Sequence, residues 1–136
     1  MKRAKWMLAA TLMSSSLMFG QNLHRTVVAQ VPFEFMVGNK MIPAGKCEIQ
    51  TEDTNVLTVH NFDAKKSALS TSARSDENQG DRTVMAFEIR GGQYFLSEIS
   101  IKGSTLTYRL PESRAAAELR AQNAPASTVT LLAALK

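Results

Sequence analysis

Apolar and polar residues alternate along much of the chain. Every second residue of Val31–Val37 is apolar, which is the period-2 pattern of a half-buried β-strand. The pattern recurs over Cys47–Thr51 and Val56–Phe62, and turn-forming residues separate these runs. A weaker, polar run covers Ser67–Arg74. Pro32 indicates that the first run begins at a sheet edge or at the start of a strand, because proline cannot donate to a ladder.

The clearest local signal is Gly91-Gly92, which lies between the β-rich runs Arg82–Arg90 and Gln93–Lys102. Two glycines fit a two-residue hairpin loop, because such turns require positive φ. The predicted register pairs Ile89 with Tyr94, Phe87 with Leu96, and Met85 with Glu98. A second tight turn at Gly103-Ser104 leads into Thr105–Leu110. Its predicted register pairs Ile101 with Leu106, Ile99 with Tyr108, and Glu98 with Arg109.

These two hairpins share one strand, Tyr94–Ile101, and use opposite faces of it. Tyr94 and Leu96 point to one apolar set, and Ile99 and Ile101 point to another. The shared strand is therefore predicted to be central in its sheet. Either both of its faces are covered, or a bulge switches the buried side midway along it.

After Leu110-Pro111 the pattern becomes helical. Ser113 is a suitable N-cap for a short, Ala-rich helix over Arg114–Gln122, and Asn123 is a suitable stop. The tail Ser127–Lys136 is apolar, and its sequence allows an extra strand, a docked helix or a frayed end. Short strands at this spacing predict an all-β fold, an antiparallel β-sandwich or barrel of about 7 strands with one short C-terminal helix.

The N-terminus has the layout of a secretory signal. Lys2, Arg3 and Lys5 precede a short apolar run, Trp6–Phe19, and Val27-Val28-Ala29 offers small residues for cleavage. We predict a signal peptide over 1–29, a β-domain with its helix over 30–122, and an apolar tail over 123–136. An earlier cut and an uncleaved anchor are the alternatives. The predicted location is secreted or periplasmic, with no stable membrane span after cleavage.

The formal net charge of +4 belongs to this leader. Four of the 16 Lys and Arg residues lie in 1–29 together with no acidic residue, so the remaining chain has twelve bases against 12 acids. A nucleic-acid-binding domain needs a basic patch on its folded part. The only adjacent bases there are Lys65-Lys66, which argues against a nucleic-acid partner.

The sequence contains no convergent catalytic set, and we predict no catalytic, cofactor-binding or metal-ligating residue. His60 is the only histidine after the leader and is interpreted as a surface residue. Ser70, Ser72 and Ser75 are not in a nucleophile-elbow motif. The loop Asp76–Asp81 is interpreted as solvated, with weak Ca²⁺ binding as the alternative. Cys47 has no partner for a disulfide and is interpreted as a small buried residue.

Glu98 is the carboxylate with the most informative position. The first predicted hairpin places it opposite Met85 on an apolar face, and the second places Arg109 directly across from it. A buried acid with a raised pKa would be an acid/base candidate. We favour the other interpretation, a cross-strand ion pair with Arg109 near the sheet margin.

Several short motifs occur together in one order along the chain. They are Val31-Pro32-Phe33-Glu34-Phe35, Val37-Gly38, Pro43-Ala44-Gly45, Gln93-Tyr94-Phe95-Leu96 and Leu110-Pro111-Glu112-Ser113-Arg114-Ala115. With them the chain resembles a group of small exported bacterial β-proteins of unknown function. Cys47 departs from that pattern, since such proteins usually carry an aromatic residue there. The resemblance implies export and a β-fold, and it implies no catalytic residue.

The predicted function is therefore that of an exported, non-enzymatic β-domain with a binding or structural role in the cell envelope or outside the cell. A partner strand could add to an edge at Gln30–Val37 or Ser67–Arg74. The alternative is a small carrier that holds an apolar ligand inside a barrel or between sheets. A further hypothesis is that Ser127–Lys136 docks on a second copy. The partner itself, whether a protein or an envelope component, is not specified by the sequence.

Overall fold

The computed structural model describes residues 25–51, 55–75, 80–103 and 107–135. Over these residues the chain forms twelve strands and one helix. The strands are β1 (Arg25–Val31), β2 (Phe35–Val37), β3 (Lys40–Ile42), β4 (Gly45–Thr51), β5 (Val56–Asn61), β6 (Lys66–Thr71), β7 (Ala73–Ser75), β8 (Val84–Arg90), β9 (Gln93–Ser100), β10 (Thr107–Arg109), β11 (Ala126–Leu132) and β12 (Ala134–Leu135). The helix α1 (Arg114–Ala121) follows β10. None of the described helical residues belongs to a helix long and apolar enough to cross a membrane.

The strands form two sheets that are not closed into a barrel, so the sandwich alternative of the predicted fold is confirmed. The first sheet has the strand order β12-β1-β4-β5-β6, and the second has the order β11-β8-β9-β10-β7. The short β2–β3 hairpin joins the second sheet through a parallel bridge between Met36 and Phe95. All other strand pairs are antiparallel.

Side chains from both sheets fill the space between them. The largest fully buried ones are Phe35, Phe87, Ile42, Ile49, Leu57, Met85, Ile99, Ile101, Val27, Val31, Val37 and Val59. Each such side chain stabilises the fold by about 1.5–3 kcal/mol through its removal from water. Phe87 is central among the aromatic residues, because its ring lies edge-on to Phe33 at 5.0 Å and to Phe35 at 5.2 Å.

The structure corrects the first predicted strand. The run Val31–Val37 is not one strand, because the chain bends at Pro32 and passes from β1 in the first sheet to β2 in the second. Proline ends a ladder since it has no N–H to donate. The predicted edge at Gln30–Val37 is also wrong, because β1 lies between β12 and β4 and is an interior strand. Strand β1 extends upstream to Arg25 and so crosses the boundary predicted after Ala29.

The predicted pairing of β9 with a strand on each side is confirmed, with one correction of register. Ile99 pairs with Tyr108 and Glu98 with Arg109 as expected, whereas Ser104 of the second turn and Leu106, the predicted partner of Ile101, lie outside the described residues. Ile89 pairs with Tyr94 and Phe87 with Leu96 as expected, but Met85 pairs with Ile99 and not with Glu98. A bulge between Ala86 and Phe87 shifts the pairing by one residue. This is the anticipated switch of the buried side, since it lets both Leu96 and Ile99 face the core.

The helix begins and ends where its capping residues predict. The Oγ of Ser113 accepts a hydrogen bond from the Ala116 N–H at 3.1 Å, and Asn123 has a positive φ of 61° just after the last turn. The helix lies against the β8–β9 turn, where a Cβ added to Gly91 would be 3.0 Å from the Leu119 side chain. Gly91, at a φ of 54°, therefore satisfies both the turn and the close approach of the helix.

The apolar tail forms two further strands. All seven residues of β11 pair with β8, and β12 pairs with Val27 and Val28 of β1. The chain passes between the sheets at Ala133, whose N–H donates to the Thr83 carbonyl at 2.9 Å. At the opposite corner it passes from β6 to β7 at Ser72, whose N–H donates to the Asn55 carbonyl at 2.8 Å. Continuous chain thus joins the two sheets at both sides of the sandwich.

Candidate functional site

Three polar residues of types that occur in catalytic sites lie in one row across the outer side of the first sheet. Glu48 on β4 is directly opposite His60 on β5, and His60 is directly opposite Ser67 on β6. The His60 Nδ1 and the Ser67 Oγ are 3.2 Å apart, within hydrogen-bond distance. Glu48 is 8% exposed, and its Oε1 accepts from the Gln50 Nε2 at 3.5 Å.

This row contains the residue types of a nucleophile triad, and the sequence analysis missed it. The residues next to His60 in the sequence give no sign of the row, because Glu48 and Ser67 come from other strands. The turn at Asp63–Lys66 was the available signal, because a hairpin closed there places Ser67 opposite His60. We assign no catalysis to the row, because acyl transfer depends on oxyanion donors in a water-excluded site, and Ser67 is exposed.

Two apolar side chains flank the same row. Leu69 is 69% exposed and Phe62 is 46% exposed, and the Phe62 ring lies edge-on to the His60 ring at 4.6 Å. We call the outward side chains of His60, Phe62, Ser67 and Leu69 the hairpin face, after the β5–β6 hairpin that carries them. An adjoining groove of about 400 Å³ is lined by Lys40, Thr58, Ser67, Ala68 and Leu69.

The hairpin face is at the margin of the sandwich. The run Ser67–Arg74 is not one strand, because the chain passes from β6 to β7 at Ser72, but β6 is the last strand of the first sheet and β7 the last of the second, so its predicted edge position is confirmed. The β2–β3 turn approaches this edge, since a Cβ added to Gly38 would be 3.9 Å from the Leu69 carbonyl oxygen. The backbone edge of β6 is therefore partly approached at Leu69, whereas the Leu69 side chain on the outer face is exposed.

A second depression lies between α1 and the second sheet, with a volume of about 180 Å³. Its charged residues form ion pairs with each other, Arg90 with Glu88 and Arg120 with Glu112, the latter at 2.9 Å. The Arg90 Nη1 also donates to the Ala124 carbonyl at 3.0 Å. The last of these contacts joins β8 to the segment that follows the helix, and we regard this depression as structural.

Glu98 lies on the outer side of the second sheet, opposite Ala86 and Arg109. Its predicted position opposite Met85 is wrong because of the bulge described above. The Glu98 Oε2 is 3.7 Å from the Arg109 Nε, and both side chains are more than a third exposed. The favoured cross-strand ion pair with Arg109 is confirmed, although Glu98 is on the central strand and not at the sheet margin, and such a pair contributes at most about 1 kcal/mol.

The remaining candidates are dispersed. Within 25–51, 55–75, 80–103 and 107–135, no group of three or more His, Cys, Asp or Glu residues is placed to hold a metal ion. Most of the acidic loop Asp76–Asp81 lies outside the described residues. Ser72 is buried at the sheet corner, and Ser70 and Ser75 lie on different strands, so the three serines form no common site.

Cys47 is buried in the core, as predicted. Burial first, and the negative charge of Asp63 second, raise the pKa of its thiol from the ordinary value of 9.0 to about 11. The folded chain therefore retains this proton at pH values where the unfolded chain loses it. The stability contributed by this group is complete below pH 9 and declines as the pH rises towards 11.

This shift predicts a cysteine-dependent loss of stability in alkali. Between pH 8 and pH 10.5 the free energy of unfolding should fall by about 2 kcal/mol more in the native chain than in Cys47→Ala, at 1.36 kcal/mol per pKa unit. Urea unfolding at both pH values measures this difference, and the variant controls for Lys and Tyr titration. Equal losses in the two proteins would contradict the assignment.

Comparison with known proteins adds no assignment: no protein-family model, no curated protein and no solved structure matches this chain. The resemblance to small exported bacterial β-proteins therefore stays a prediction.

Proposed function

We propose that this chain is an exported, non-enzymatic domain that binds a protein partner, in the cell envelope or outside the cell, through the hairpin face. The observation that carries the proposal is the exposure of Leu69 and Phe62 on one edge hairpin, one on each side of the His60–Ser67 pair. Single exposed apolar residues are common, but two large ones on the same face of one hairpin, one of them aromatic, favour a binding surface. Aromatic side chains also supply much of the energy at protein interfaces.

The surroundings of the hairpin face indicate the chemistry of the partner. Lys40 lines the groove beside Leu69. A complementary surface would present an apolar side chain to the Leu69 groove and an acidic one to Lys40. Complementary charges at the rim mainly set orientation and the rate of association, so the apolar contact supplies most of the affinity.

The carrier alternative receives no comparable support. The space between the sheets, where a ligand would lie, is filled by the buried side chains given above. The groove beside Leu69 is open to solvent and is formed on the outside of the first sheet. We therefore place the binding role on the outer surface and propose no internal ligand.

Replacing the apolar anchors tests the binding role. Leu69→Asp and Phe62→Asp should each weaken partner capture by at least tenfold, because loss of a hot-spot side chain costs more than about 1.4 kcal/mol. The measurement is quantitative mass spectrometry of proteins retained from envelope extract by each purified variant. Leu132→Asp is the matched control, since Leu132 is also apolar and 66% exposed but lies on β11.

The result is informative only when all variants are equally folded, which their thermal midpoints will show. The proposal predicts a protein that the native chain and Leu132→Asp retain and that both hairpin-face variants lose. Retention of the same proteins in equal amounts by all four chains would refute the hairpin face as the binding surface. Retention of nothing above a blank support would refute the binding role itself.

A further inference from the structure

The first described strand is an integral part of the first sheet. β1 lies between β4 and β12, and each of its seven residues pairs with β4, from Arg25 opposite Thr51 to Val31 opposite Gly45. The Thr51 Oγ1 also donates to the Arg25 carbonyl at 3.3 Å. The strand is therefore held along its whole length, including its first residue.

The inward side chains of β1 belong to the core. Val27 and Val31 are completely buried and Ala29 is 4% exposed, and all three pack in the main apolar cluster. The small residues that suggested cleavage after Ala29 thus have another explanation. Val27 and Ala29 alternate because they point inwards from a strand, and a valine and an alanine suit the space between the sheets.

Cleavage after Ala29 would remove five of the seven paired residues of β1 and leave only Gln30 and Val31. It would also remove Val27 and Val28, the two residues with which β12 pairs. One side of β4 would lose most of its backbone partners in the middle of a sheet. Buried backbone groups without partners are costly, so this product would be a poor folded protein.

We infer that the leader is removed N-terminal to Arg25, so that the exported protein retains β1 intact. This inference rests on the proposed export. Small residues suited to a leader peptidase also occur upstream of β1, at Ser14, Ser16 and Gly20, directly within or after the apolar run. The cut therefore falls between Ser16 and Arg25. Retention of Arg25 gives the processed chain a formal net charge of +1, since only Lys2, Arg3 and Lys5 are lost.

The N-terminus of the exported protein tests the inference directly. The full chain is produced with a C-terminal tag in a bacterium that processes secretory leaders, and the purified product is examined by intact mass and N-terminal sequencing. A first residue between Leu17 and Arg25 supports the inference. A first residue of Gln30 overturns the inference and leaves export standing, whereas a chain that keeps its leader overturns both.

A matched pair of variants in the full chain gives an independent test. Val27 points into the core and its neighbour Val28 points away from it. Val27→Thr should lower the thermal midpoint of the processed protein by about 5 °C or more, because it buries a hydroxyl group, and Val28→Thr should change it by less than about 2 °C. Threonine is small, so neither change should block a leader peptidase at the Ala29 site.

The two processing sites make opposite predictions for these variants. If the cut followed Ala29, both substitutions would leave with the leader, and three processed proteins of identical mass and identical thermal midpoint would overturn the inference. If the cut precedes Arg25, the two variants share one mass that differs from that of the unsubstituted protein, and only Val27→Thr is destabilised. Failure of Val27→Thr alone to accumulate in folded form also supports the inference, because a residue lost with the leader cannot destabilise the product.

Discussion

A chain that ends at Asn123 will not unfold cooperatively, because the deletion removes β11 and β12 from the two sheets. Strand β11 pairs with all seven residues of β8, and β12 pairs with β1. Val129, Leu131 and Ala133 also pack against the core. The deletion leaves the hydrogen-bonding edge of β8 unpaired, and we expect loss of more than the 5–15 kcal/mol by which such domains are typically stable.

Far-ultraviolet circular dichroism and urea unfolding measure this effect. A chain that ends at Leu132, and so lacks only β12 and the residues around it, is the control that keeps β11. It should remain folded with reduced stability. A cooperative transition in the chain that ends at Asn123, with a midpoint close to that of the full chain, would show that the tail is dispensable and contradict its place in the sheets.

Phe87→Ala should have the second largest effect, a loss of about 3–5 kcal/mol in the free energy of unfolding. The Phe87 ring is fully buried on β8 and contacts the rings of Phe33 and Phe35. Both of these residues follow the bend at Pro32. Truncation removes the burial of the ring and leaves a cavity between the sheets. Urea unfolding at neutral pH gives the difference in free energy directly.

The matched control is Leu69→Ala, because Leu69 is also a large apolar residue but is mostly exposed. Its free energy of unfolding should change by less than about 0.5 kcal/mol. A loss below about 1 kcal/mol for Phe87→Ala would mean that the space between the sheets is not closely packed at this point. That outcome would also revive the carrier alternative, which requires unfilled volume there.

Features that depend on a few neighbouring residues were predictable from the sequence. Gly91-Gly92 specify a two-residue turn because each has positive φ, and the register of the strands follows outward from it. Ser113 and Asn123 specify the limits of α1 by local hydrogen bonding and backbone conformation. These signals act within about four residues, so no knowledge of the tertiary structure is needed to interpret them.

Features that depend on distant pairing were not predictable. The two apolar faces of β9 allowed a bulge, but its position at Ala86/Phe87, which shifts the β8–β9 pairs beyond it by one residue, depends on the pairing itself. Arg25–Ala29 fits both a cleavage motif and a buried strand, and the strand becomes evident only from its pairing with β4. The tail was equally ambiguous, because its apolar residues form a strand only when β8 offers a free edge.

In the candidate site, too, some features follow from the local sequence and others depend on pairing between distant strands. The pairing of His60 with Ser67 follows from the local turn at Asp63–Lys66, and it could have been derived. The neighbouring position of Glu48 requires the register of β4 with β5. Alternation assigns Leu69 and Phe62 to one side of the sheet. It does not show whether another part of the chain covers that side, so their exposure could not be predicted.

Site-specific photo-cross-linking in the exporting cell is the most direct test of the binding role. A photoreactive phenylalanine analogue placed at Leu69 should form one discrete adduct with a protein partner on irradiation, because that side chain lies in the proposed interface. The same analogue at Leu132, which is comparably exposed on β11, should form none. Equal adducts at the two positions, or adducts at Leu132 alone, would contradict the hairpin face as the binding surface.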